Sequence, residues 1–207
     1  MKMDISSHDR TASEIFKMVL DKGPLTLYAA NTESKIPIGT IHRHFKEMEE
    51  SEKIKIYDHG KSGRKKISYG PTLYGLVYFY RIDKDIEKKL ENYFDLWVDK
   101  EQFHSELKDA GFDEKKIISD TKTSKKIFRK YVHYYAGVEE HLINFAKNIN
   151  ELPRDVRMFL GEFLVVTKSD YKKLWDELYL SLPGFRKNVK DFFEEMIKFY
   201  AELKKKR

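Results

Sequence analysis

Between Ile36 and Gly70 the chain changes its period in mid-run, and few folds accommodate that. Apolar residues first recur at 38, 41, 45 and 48, spacings that gather them on one helical face. From Ile54 the pattern is that of a strand: Ile54 and Ile56 alternate with Lys55 and Tyr57, and Ile67 and Tyr69 alternate again further on. The stretch His59-Gly-Lys-Ser-Gly63 between them predicts a hairpin loop. A helix over about 38–51 must therefore run directly into an antiparallel hairpin over about 54–69. Positive charge gathers at this junction. Residues 35–70 hold nine Lys/Arg against five Asp/Glu, which is +4 of the chain's formal +6.

The flanking segments supply more helix. Thr11-Ala-Ser-Glu14 is a capping-box pattern ahead of the stripe Ile15, Phe16, Val19, Leu20, so a first helix is expected to start at Thr11 and stop at Gly23-Pro24. Thr26 is expected to cap a short helix, Leu27 to about Glu33, and Ser34–Pro37 to turn the chain. After the hairpin, Pro71 opens an aromatic helix, Thr72–Tyr80, expected to pack the N-terminal part onto the C-terminal helices. Beyond Arg81–Asp85 every periodic segment is helical. The stripes are Ile86 to Trp97, Phe103 and Leu107 before Gly111, Ile127 to Ile149 with a break near Pro153, Val156 to Phe163, and Tyr171 to Leu178. The last, Phe185, Val189, Phe192, Met196, Phe199 and Leu203, keeps heptad spacing, which suits a helix pair between subunits.

Composition narrows the classes. At 41% hydrophobic and 14% aromatic residues, the chain of 207 has ample material for a packed core. With no cysteine, disulfides, thiolate metal sites and cysteine nucleophiles are excluded. The longest uncharged run, Ile67–Tyr80, is 14 residues and contains Gly and Pro, against about 18 or more apolar residues for a membrane span. No signal-peptide core opens the chain, so a soluble, cytoplasmic protein without membrane partners is expected. No HExxH, phosphate-loop glycines or isolated carboxylate pair appears, so the expectation is no enzyme, no catalytic residue and no cofactor. His42 and His44 make a poor metal pair, because residues two apart on a helix point to different sides. His133 and His141, with Glu140, read as residues at the edge of a core, so no metal ligand is assigned.

Helix, helix, turn, helix and hairpin is the order of a winged helix-turn-helix. The segment "GPLTLYAANTESKIPIGTIHRHFKEMEESEKIKI" resembles the core of archaeal-type winged helix-turn-helix transcriptional regulators of the broad MarR/ArsR/PadR-like group. Gly39-Thr40, the basic Arg43 and Met48-Glu-Glu50 carry the likeness, as do Thr72 and Gly75 in the "T-x-x-G" after the second wing strand. It covers about residues 10–80. Lys35 stands where the group's turn has Gly, and Glu52-Lys53 where its helix exit has Gly-Leu, substitutions that strain a turn needing glycine.

The expected fold is mainly α with a small β-hairpin wing: a winged helix-turn-helix domain, residues 1–80, and an all-helical domain, residues 84–207, for dimerisation, effector or partner binding. The expected function is sequence-specific binding of double-stranded DNA in transcription regulation. The recognition helix, about 38–51, would enter the major groove, and the basic wing, about 54–69, would lie on the backbone or minor groove. The residues expected to touch DNA are Lys35, Thr40, His42, Arg43 and Lys46, with Lys61, Arg64, Lys65 and Lys66 on the wing. His44 shares with His42 the chance to meet DNA or sense pH. Arg43 suits a bidentate guanine contact and Thr40 a phosphate at the helix N-terminus. A homodimer is expected, with a small-molecule or protein effector on the helical domain. The alternatives are a winged-helix adaptor joining proteins without reading DNA, and RNA binding. An open, basic recognition helix favours the regulator; one buried against the C-terminal helices favours the adaptor.

Overall fold

The computed structural model describes residues 7–59, 66–145 and 169–205. Its elements are α1 (Ser7–Lys22), α2 (Leu27–Glu33), α3 (Ile38–Glu50), β1 (Ile54–His59), β2 (Lys66–Pro71), α4 (Leu73–Ile82), α5 (Lys84–Trp97), α6 (Glu101–Asp109), α7 (Glu114–Ser119), α8 (Thr121–Phe145), α9 (Ser169–Ser181) and α10 (Pro183–Lys205). Three helices and an antiparallel hairpin thus precede a run of helices, a winged-helix-like order in a mainly helical chain. The end of the long stripe at Ile149, the break at Pro153 and the stripe Val156–Phe163 lie outside the described residues. Among the described residues, no helix is long and apolar enough to cross a membrane.

α1 buries Ile15, Phe16, Val19 and Leu20 and ends at Gly23, whose φ of 85° is the left-handed conformation glycine adopts at low cost. Thr11 does not cap it. The helix already runs from Ser7, and Thr11 Oγ1 donates to the Ser7 carbonyl at 3.1 Å, as a threonine inside a helix does. Thr26 does cap α2, accepting from the Ala29 amide at 3.1 Å. Between α1 and α2, Leu25 and Tyr69 exchange two backbone hydrogen bonds of 2.9 Å, adding a one-residue third strand to the hairpin.

α3 buries Ile41, Phe45 and Met48, whereas Ile38 is half exposed and His44 takes a place on the inner face. The helix leaves through Glu52, at φ 55° the one described non-glycine residue in the left-handed region, while the Lys53 amide returns to the Met48 carbonyl at 2.7 Å. The strain expected at this exit is therefore present; that expected at Lys35 is not, because Lys35 does not take a positive φ. A left-handed backbone costs an L-residue about 1–2 kcal/mol, and glycine's extra freedom when unfolded takes back about 0.5–1 kcal/mol. Glu52→Gly is accordingly expected to raise the thermal midpoint by about 2 °C. Calorimetric scanning checks this; an unchanged or lower midpoint would mean that contacts of the Glu52 side chain offset the strain.

The hairpin pairs Ile54 with Pro71 through His59 with Lys66. One face carries Lys55 and Tyr57, the other Ile54, Ile56, Ile67 and Tyr69. Of the alternating isoleucines only Ile54 is buried. Tyr57 is the buried aromatic of β1, while Ile56 and Ile67 are 48% and 55% exposed. The reason is that both faces are covered near the base. Tyr69 meets Phe45 of α3 edge-on, centroids 4.9 Å apart, and Tyr57 meets Trp97 of α5 at 5.4 Å. Lys55 Nζ reaches the Gln102 carbonyl at 2.9 Å and pairs with Glu106, both on α6.

Thr72 joins these layers. Its hydroxyl donates to the Glu52 carbonyl at 2.6 Å and accepts from the Gly75 amide at 2.9 Å, capping α4. Gly75 has no alternative there: a Cβ would sit 2.0 Å from the Lys53 carbonyl oxygen. α4 packs on α1, where Phe16 stacks on Phe79 at 4.4 Å, and on the central helix α8, in keeping with its aromatic character. Asp83 caps α5 and also receives Ser13 Oγ and Lys17 Nζ, each at 2.9 Å. Burial works to raise the Asp83 carboxyl, but these donors prevail and hold it below its ordinary value. One hydrophobic cluster runs from Ala12 of α1 to Phe185 of α10.

Candidate nucleic-acid interface

α3 packs on α1, α2 and β1. Its opposite face is open. Lys35, His42, Arg43 and Lys46 are exposed, and Thr40 is half-buried. The helix begins at Pro37 without a side-chain cap, so free amides face outward beside Gly39, where even a Cβ would meet open space. All of these groups but Lys46 lie on the N-terminal half of α3 and on the turn before it. The C-terminal half is acidic, with Glu47, Glu49 and Glu50.

The two cations on the open face have weak partners. Arg43 Nε lies 3.9 Å from Glu47 Oε1, and Lys46 Nζ lies 3.7 Å from Glu50 Oε1. Exposed pairs of this kind are worth about 0–1 kcal/mol, so a phosphate or base edge can displace them. On the hairpin, Lys66 opens β2 opposite His59. Lys61, Arg64 and Lys65 lie outside the described residues.

His44 departs from the expectation that it shares the surface with His42: it is 1% exposed and turned toward α1. The cause is angular. Two helical positions are about 200° apart, so with His42 outward His44 faces the core. Its imidazole is held below the ordinary histidine value, first by desolvation and then by His8 and Arg43, with Glu47 opposing. His8 Nε2 is 2.9 Å from Glu47 Oε2, and the two imidazole centroids are 4.6 Å apart. The period of α3 alone does not disclose this group, because its third member comes from α1. His133 is exposed and hydrogen-bonds Tyr80 through Nδ1 at 3.0 Å; the side chain of His141 lies outside the described residues.

A cleft of about 610 Å³ opens behind the hairpin, where the end of α3, β1, α4, α6 and α8 meet. Glu49, Glu52, Lys55, Thr72, Glu106 and Asp109 are among its lining residues. Glu106 is engaged there, accepting from the Leu73 amide at 2.6 Å and pairing with Lys55.

Comparison of the chain with protein-family models and with curated proteins gives no match.

Proposed function

We propose that this chain is a transcription regulator that binds double-stranded DNA in a sequence-specific manner, with α3 in the major groove and the basic hairpin on the backbone or minor groove. The carrying observation is the outer face of α3, which among the described residues is not packed on the C-terminal helices and holds Arg43, Lys46 and uncapped amides at its start. A helix of this kind fits the major groove, where base edges are distinguishable, and its N-terminus suits phosphate. Lys35, Thr40 and His42 complete the contact face, with Lys61, Arg64, Lys65 and Lys66 serving the backbone. The cleft behind the hairpin touches the exit of α3, so an effector bound there would act on the reading helix.

The adaptor reading keeps one observation in its favour: Ile56 and Ile67 expose apolar surface on the same face of the hairpin. Genome-wide crosslinking of the full chain separates the two. Sharp peaks upstream of genes support the regulator, and absence of DNA supports the adaptor.

A winged domain reading one half-site gains specificity by pairing on a two-fold axis, with reading helices about 34 Å apart. The candidate seam is Val189–Phe199. Among its described residues, Val189 and Phe192 are half-buried, while Phe193 and Ile197 offer apolar side chains to solvent, 58% and 69% exposed and one turn apart. Light scattering at micromolar concentration is expected to give twice the 24.7 kDa of one chain. Phe193→Glu with Ile197→Glu should return it to a single chain. A wild-type monomer would remove the dimer from this reading.

A further inference from the structure

His8 in the first turn of α1 faces His44 and Glu47, which lie three residues apart on one face of α3. His8 Nε2 is 2.9 Å and His44 Nδ1 3.5 Å from the same oxygen, Glu47 Oε2. The three donor atoms all lie within 4.8 Å of one another. A surface hydrogen bond accounts for His8 and Glu47 but not for His44. Its ring is 1% exposed, and its Nδ1 is buried with no hydrogen-bond partner, because the approach to Glu47 does not make one. A buried polar atom left unsatisfied is uncommon and costly, and here it points into a group of two further ligand atoms.

We propose that His8, His44 and Glu47 bind a divalent transition-metal ion of the zinc type. Tetrahedral bonds of about 2.0–2.1 Å place neighbouring ligand atoms about 3.3 Å apart, and the distances of 2.9 and 3.5 Å fall on either side of that. Two imidazoles and one carboxylate suit zinc, nickel or cobalt better than magnesium or calcium, which take oxygen ligands. His8 is 52% exposed, so an ion enters from solvent and keeps a position open for water. The ion ties the start of α1 to α3 and satisfies the buried His44 nitrogen. It also offsets the charge of Glu47, the acidic neighbour of Arg43. For duplex binding, and resting on the regulator reading above, the metal-loaded chain therefore binds more tightly than the stripped one.

The test is a calorimetric titration of the chelator-stripped full chain with zinc chloride, without DNA, with cobalt(II) absorption as a report on coordination. Saturable uptake of one ion per chain is expected. His8→Ala should weaken it at least about tenfold, since even outer-shell changes cost about 10–100-fold. Because His8 is exposed, the stripped variant should fold and melt like the stripped wild type. No saturable uptake by the wild type, or unchanged affinity in His8→Ala, overturns the site. Duplex affinity with and without zinc tests the consequence separately. Equal affinities overturn the coupling to DNA, and zinc uptake by a chain that binds no duplex in either form supports the site while counting against the regulator.

Discussion

Trp97→Ala is expected to cost about 3–5 kcal/mol, as truncation of a fully buried aromatic does. Trp97 is 0% exposed and stands where three layers meet. Its ring packs on Tyr57 of the hairpin at 5.4 Å and on Phe103 of α6 at 6.5 Å. Its Nε1 donates to the Leu20 carbonyl near the end of α1 at 3.0 Å. Alanine leaves a cavity between these layers and one buried carbonyl without its donor. Whole domains are stable by only about 5–15 kcal/mol, so this loss should lower the thermal midpoint by on the order of 10 °C. The manner of melting is as informative as the midpoint. Since Trp97 joins α1 and the hairpin to α5 and α6, the N-terminal and helical parts should unfold in one transition, followed by calorimetry and by circular dichroism. Two separated transitions would show that the contact does not couple them. By the same argument a fragment ending at residue 82 loses the cover over Tyr57 and Leu20 and is expected to aggregate.

The features legible in the sequence are those that rest on local chemistry. The change of period at residues 51–54 places α3 and β1, Thr26 announces its cap, and the missing glycine at residue 52 announces a strained exit that φ 55° bears out, whereas Thr72, expected as the first residue of its helix, is instead the cap of α4. Features made by distant partners are not legible. Leu25 forms a strand of one residue, which has no period. Which strand face is buried is not legible either: Tyr57 is buried and Ile56 half exposed because Trp97, forty residues beyond Tyr57, covers the face that carries Tyr57. α7, capped by Asp113 through the Lys115 amide at 3.0 Å, is too short to show a stripe. In α8 the expected stripe through Ile127 and Tyr131 is only partly buried at those positions, and Phe128 and Val132 are fully buried, because α4, α5, α7 and α9 all pack on this helix. The open face of α3 is legible residue by residue at His42, Arg43 and Lys46. His44 is not, because its burial depends on α1 lying across α3.

Arg43→Ala is expected to reduce the preference for a cognate duplex over random DNA by roughly 5- to 150-fold, the equivalent of the about 1–3 kcal/mol that a bidentate base contact contributes. The free protein sets few obstacles to that contact. The Arg43 side chain is 61% exposed, and its acidic neighbour, Glu47, is at 3.9 Å and itself 43% exposed. Such a pair restrains the guanidinium by at most about 1 kcal/mol, less than a guanine edge returns. Removing an exposed side chain from the outer face should leave the fold intact, so lost binding can be read as lost contact. Lys46, one turn nearly completed beyond it, provides the contrast. Its point charge suits phosphate, so Lys46→Ala should weaken cognate and random duplexes alike and lower the slope of log affinity against log salt by about 0.9. Titrations of both variants on both duplexes at several salt concentrations decide among the roles. Equal losses on the two duplexes in Arg43→Ala would move Arg43 from the bases to the backbone. Unchanged binding in both variants would mean that α3 is not the helix that meets DNA.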